Sequence, residues 1–153
     1  MFEKILVCLD GSRLSEQILP FVEAQALTFN SQVILFHVVT SSSPSIVEGG
    51  ATYQEAKDRQ EQVQIDFTEA TAYMEKTNRS LQAKGIQSQV EVVKAVSVGK
   101  AILDYAESNH IDLIAIATHG HGGLGHLVFG NVADHVLRES GLPMLVIRPR
   151  NLD

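Results

Sequence analysis

Only one cysteine, Cys8, occurs in the 153 residues of the chain. No intrachain disulfide can form from it, and a reducing cytoplasm is the expected setting. Basic residues are in deficit, 12 lysines and arginines against 18 aspartates and glutamates, for a net charge of −6. That balance leaves no broad basic face for nucleic acid, and runs of like charge are missing too. Long apolar runs are also lacking. None reaches the roughly 18–20 residues that a membrane span needs, so no membrane role is expected. The apolar run Ile5–Leu9 is too short for a secretory leader and ends at Asp10. Neither end carries a lipidation signal. What is present, 44% hydrophobic and 20% charged residues, can build a full core. The length suits one domain spanning residues 1–153.

Along the chain, short apolar runs alternate with helical patterns. KILVCLD (4–10) reads as a buried strand closed by Asp-Gly-Ser. Residues 12–30 read as a helix. Ser12 is the candidate N-cap, and Leu14, Ile18, Val22 and Ala26 recur at helical spacing. Pro20 lacks an N–H and predicts a kink or an early break there. SQVILFHVV (31–39) is a second buried strand. The polar segment 41–53, with Pro44, Gly49 and Gly50, is the expected mobile loop.

From Gln54 to Lys84 the pattern is helical, with Val63, Phe67, Ala70, Met74 and Leu81 in one stripe and Gly85 as the stop. A strand (87–94), a helix capped by Ser97 (97–110) and a third buried apolar strand (111–117) follow. A short helix (131–140) and a last strand with Pro143 at its entry (142–149) complete the chain. Five strands thus alternate with four helices. The expected class is α/β, a single doubly wound, five-stranded, mostly parallel sheet with helices on both faces, Rossmann-like.

The third buried strand runs into ATHGHGGLGHLVFGN (117–131), which holds three of the six histidines and five of the eleven glycines. Consecutive glycine N–H groups can form a concave anion nest. Gly130 and Asn131 then open a helix whose free N–H groups and dipole favour a negative ligand. The spacing matches neither a P-loop nor the G-x-G-x-x-G fingerprint. In an open parallel sheet the ligand sits beyond the carboxyl ends of the strands, where the winding reverses. A reversal between the first and fourth strands brings Cys8-Leu9-Asp10 to one side of a crevice and the glycine-rich stretch to the other.

His119, His121 and His126 lack a defined set of further ligands, so no metal cluster is expected from them. His121 reads instead as a loop side chain near phosphate. Asp10 has two readings, a ligand-binding carboxylate or a turn residue after the strand. Cys8 reads as a buried, inert thiol. His37 reads as a strand residue with a satisfied ring, His110 as the end of a helix, and His135 as solvated. No catalytic residue is assigned.

The chain resembles the universal stress protein family. The resemblance is carried by KILVCLDGS, ILFHVV, IDLIAIATHGHGGLG and FGNVADHVLRESGLPMLVI. ATP-binding members carry Gly-x2-Gly-x9-Gly-Ser/Thr. Here the frame is Ala117-x2-Gly120-x9-Gly130-Asn131, with the two later glycines kept and both ends changed. The resemblance implies ATP or a related adenine nucleotide as ligand and a regulatory role in stress response. It places the adenine and ribose contacts on Cys8, Leu9, Asp10 and Val38. Loop contacts fall on Ala117, Thr118, His119, Gly120, His121, Gly122 and Gly123, and phosphate contacts on Gly130, Asn131, Val132 and Ala133.

It also implies a homodimer through the last strand, Pro143 to Pro149, and a protein partner that reads the bound state. A second reading makes the same site a slow ATP hydrolase or phosphotransferase, with Asp10 contacting Mg²⁺ or orienting water. A third keeps the fold as a nucleotide-free dimeric scaffold. The glycine-rich stretch has no Lys or Arg, which weighs against phosphoryl transfer.

Overall fold

The five segments read as strands become five parallel strands. They are β1 (Lys4–Cys8), β2 (Gln32–Thr40), β3 (Ser88–Ala95), β4 (Leu113–Ala117) and β5 (Met144–Ile147). The computed structural model describes residues 1–41, 52–118 and 131–151. Most of the segment expected to be mobile, 42–51, lies outside the described residues, as do 119–130 of the glycine-rich stretch.

The sheet order is β3-β2-β1-β4-β5, with every neighbouring pair parallel. The strand in the middle is buried on both faces, which is why its sequence is a continuous apolar run. Side chains alternate about the sheet. Ile5, Val7 and Leu9 enter one core with Val33, Leu35, Leu113 and Ala115. Leu6 and Cys8 enter the other with Ile34, Phe36, Ile114 and Ile116.

Two helices supply the first core. The helix read over 12–30 is divided into α1 (Arg13–Glu16) and α2 (Leu19–Phe29). Ser12 caps α1 by accepting from the Ser15 N–H, and Pro20 falls in the first turn of α2, where no N–H is needed. The break expected at Pro20 therefore lies just before it. Ile18, Val22 and Ala26 are buried as the spacing required. The long α3 (Tyr53–Ala83) starts with a capping box between Thr52 and Glu55. Met74 and Leu81 of its stripe are buried, and Gly85 takes a φ of +83° just past its end.

The opposite face carries α4 (Val98–Ser108), capped by Ser97, and α5 (Asn131–Glu139). These two helices approach closely at Gly99. A Cβ there would stand 2.5 Å from His135 Nδ1, so only glycine lets the ring lie over α4. His135 is exposed, as read from the sequence, and its ring lies over Gly99 of α4. Because β1 pairs with β2 on one side and β4 on the other, the winding reverses between β1 and β4.

Candidate functional site

β1 stops where its apolar run meets Asp10. The last β1–β2 backbone bond runs from Leu9 N–H to Phe36 C=O at 3.0 Å. Past it the chain turns. Asp10 Oδ1 accepts from Ser12 N–H at 2.8 Å, and Ser15 Oγ stands 3.4 Å from Asp10 N. Asp10 is thus the turn residue of one of its two readings, an Asx-turn that feeds the cap of α1. It is exposed, so the turn leaves the residue at the surface of the crevice.

At this end of the sheet a cleft of about 160 Å³ opens. Its floor is the strand ends: Cys8, Leu9 and Asp10 from β1 and its turn, His37 and Val38 from β2, Ile116 and Ala117 from β4. Val98 and Ile102 of α4 and Val132 and Ala133 of α5 wall it, and Ser15 of α1 completes the rim. Most of these side chains are apolar, so polar selectivity has to come largely from the backbone. Val132 and Ala133 lie in the first turn of α5, which brings the positive end of that helix to the cleft.

Two side chains at the cleft have settled chemistry. Cys8 is buried, and burial pushes its thiol from 9.0 up to about 12, which keeps it neutral and unreactive. The His37 ring is satisfied as expected, Nδ1 lying 2.7 Å from Leu9 C=O.

The backbone of β2 runs past the end of β1 at Val38. In a parallel ladder the N–H and C=O of one residue face one neighbour, and the next residue faces the other. Phe36 faces β1, so Val38 faces β1 as well. β1 ends at Cys8, in register with Phe36, and no strand residue stands opposite Val38. Its N–H and C=O therefore look into the cleft as a paired donor and acceptor. Among the described residues Val38 N–H has no hydrogen-bond partner.

Of the residues named from the sequence, the structure brings together Cys8, Leu9, Asp10, Val38, Ala117, Val132 and Ala133. Thr118 and Asn131 do not line the cleft. Thr118 is buried, and both its N–H (2.9 Å) and Oγ1 (3.4 Å) turn to Ile147 C=O. Asn131 is exposed at the start of α5. His119, Gly120, His121, Gly122, Gly123 and Gly130 lie outside the described residues. Ser15, Val98, Ile102 and Ile116 were not named as site residues. Val98 and Ile102 carried a readable signal, one helical turn apart on a helix that follows a strand end. Among the described residues no group of three or more His, Cys, Asp or Glu could hold a metal ion.

The model of the universal stress protein family matches residues 1–148. The chain belongs to the universal stress protein family. Among curated members, the universal stress protein MJ0577 of Methanocaldococcus jannaschii is 27% identical, over 99% of this chain and 98% of that protein. The universal stress protein Slr1230 of Synechocystis is 29% identical over 95% of this chain, which spans only 42% of Slr1230.

The solved structure of MJ0577 superposes with a TM-score of 0.80 at 26% identity, covering 99% of both chains. More distant structures of the family share the fold. A universal stress protein in complex with cAMP matches with a TM-score of 0.64 at 16% identity, covering 96% of this chain and 97% of that one. A family member from Arabidopsis thaliana with AMP bound matches with a TM-score of 0.63 at 14% identity, covering 98% and 93%. The fold is thus that of the universal stress proteins. No helix among the described residues is long and apolar enough to cross a membrane.

Proposed function

We propose that this universal stress protein binds an adenine nucleotide, ATP or a relative of it, in the cleft at the β1–β4 switch point and acts as a regulatory module in stress response. The observation that carries the proposal is the open backbone of Val38 beside apolar walls. An N–H donor next to a C=O acceptor complements the edge of adenine, which presents a ring nitrogen acceptor next to an amino donor. Val98, Ile102 and Ile116 offer apolar surface for a flat base. Leu9 and Asp10 stand beside it for the ribose, and the first turn of α5 offers favourable potential to phosphate. The complexes of two distant family members with AMP and cAMP support the same ligand class.

Regulation follows if ligand binds one conformation better than another, because a ligand shifts an equilibrium only by that difference. The surface that reads the change is proposed to be a homodimer through the last strand, Pro143 to Pro149. Among the described residues β5 is an edge strand with a neighbour on one side only, and an unpaired edge is a ready template for a second copy. The lone buried cysteine accords with the cytoplasm.

Isothermal titration of the purified protein with ATP, ADP, AMP and cAMP tests the ligand. Saturable binding to at least one supports the proposal, and no binding to any of them refutes it. Multiple-turnover phosphate release that disappears in Asp10→Ala would move the reading to a hydrolase with Asp10 at Mg²⁺. Sedimentation at several concentrations tests the dimer.

A further inference from the structure

We infer that His37 is a positioning residue: it holds open one rung of the sheet at the switch point and thereby sets which base the cleft accepts. The second half of this inference rests on the adenine-nucleotide reading above, and the first half does not.

The missing rung is identifiable by continuation. Leu9 N–H donates to Phe36 C=O at 3.0 Å. The next bond of a parallel ladder would run from Val38 N–H to Leu9 C=O. That bond is not formed. Leu9 C=O instead accepts from the His37 ring at 2.7 Å. A carbonyl oxygen can only accept, so Nδ1 carries the proton, and the ring acts as the donor that Val38 would otherwise have been.

The opening is local. At the same end of the sheet the outer pairs continue past their strands, Ser41 N–H to Ala95 C=O at 2.9 Å and Thr118 N–H to Ile147 C=O at 2.9 Å. A general fraying of strand ends would have loosened those rungs as well. The open rungs are the two that flank the end of β1: on the β4 side Asp10 N–H turns to Ser15 Oγ at 3.4 Å, and on the β2 side Leu9 C=O turns to the His37 ring.

The consequence is chemical. With Leu9 C=O occupied, Val38 keeps both N–H and C=O for a ligand. Adenine matches that donor and acceptor pair. Guanine presents a ring N–H and a carbonyl oxygen at the same places, so both contacts would oppose it. A site built to satisfy such groups rejects the mismatched ligand strongly, because its buried polar groups are left unpaired. If the rung closed, Val38 N–H would be consumed and the discrimination lost.

Two variants separate this role from simple packing. His37→Phe keeps a ring and removes the donor. His37→Asn places an amide nitrogen close to where Nδ1 stood and restores donation. The first measurement needs no ligand: hydrogen exchange of the Val38 amide, read by NMR in the full-length protein against the Phe36 amide. The expected result is fast exchange in the wild type, at least ~10-fold slower exchange in His37→Phe, and fast exchange again in His37→Asn. Slow exchange in the wild type, or equal exchange in the wild type and His37→Phe, overturns the inference.

The second measurement is calorimetric affinity for AMP and for GMP. His37→Phe is expected to lose about tenfold in AMP affinity, the weight of one hydrogen bond, and most of its preference over GMP. His37→Asn is expected to keep both. An unchanged AMP to GMP ratio in His37→Phe refutes the specificity half. Exchange behaving as expected in a wild type that binds no AMP sinks the adenine reading and leaves the open rung standing.

Discussion

Where β1 enters the sheet, Asp112 Oδ2 accepts from both Glu3 N–H (3.1 Å) and Lys4 N–H (2.9 Å), and Lys4 Nζ donates to Asn109 C=O at 3.2 Å. Gln32 N–H reaches Glu3 C=O at 2.7 Å, and Asp112 N–H reaches Lys4 C=O at 3.0 Å. Where β1 leaves the sheet, the rung beside it is missing and a cleft takes its place. The same strand is closed at one end and open at the other. Backbone groups bonded within the protein stabilise the fold but cannot bind anything else. The contrast shows how stability and recognition share one strand only five residues long: the bonds are completed at the end without a ligand and withheld at the other.

The largest effect should come from the core between the ends. Ile114→Ala removes a fully buried side chain and is expected to cost about 2–5 kcal/mol in denaturant unfolding. It should weaken both ends together, because they share β4. Next, Asp112→Ala removes one acceptor from two backbone donors at the closed end. A loss of about 1–3 kcal/mol is expected, with nucleotide affinity unchanged when titrated below the unfolding transition. A parallel loss of affinity would show that the two ends are not independent.

Val98→Trp inverts that test at the open end. The larger ring fills the cleft from the start of α4, and adenine nucleotide affinity should drop more than ~10-fold, or 1.4 kcal/mol, while the melting temperature stays close to wild type. Ser97→Ala, just outside the cleft, should cost only about 1 kcal/mol through the lost cap of α4.

The smallest effect is a pH dependence. The folded Cys8 thiol titrates at about 12 against an ordinary 9.0, so the unfolded chain ionises first. The stability tied to its neutral form is whole below pH 9.0 and is lost as pH rises toward about 12. Denaturant midpoints taken at about pH 8 and about pH 10 should fall further in the wild type than in Cys8→Ala. Burial and the bond to Glu16 also raise the Tyr73 hydroxyl, but that contribution is common to both proteins and cancels in the difference.

Much of this was legible in the sequence, and the reason is local. The apolar runs at residues 4–10, 31–39 and 111–117 read as strands covered on both faces, and strands they are. Ser12, Ser97, Gly85 and Pro20 marked helix limits through rules that operate within a turn or two of chain. Cys8, Leu9, Asp10, Val38, Ala117, Val132 and Ala133 were named from the family resemblance and lie together in one cleft.

What the sequence could not contain is anything decided between distant residues. Asp112 meets Glu3 and Lys4 across more than 100 residues, and nothing near Asp112 announces that partnership. Val98 and Ile102 become walls only because α4 crosses to the face opposite α3. His37 looked like an ordinary strand histidine. Its effect on Val38 exists only because β1 ends one residue short of completing the next rung. Local pattern determines which segments become strands and helices, because propensity and periodicity act over a few residues. Which backbone groups are left unpaired is decided by the register of strands far apart in the chain, and that register is set only when the sheet assembles.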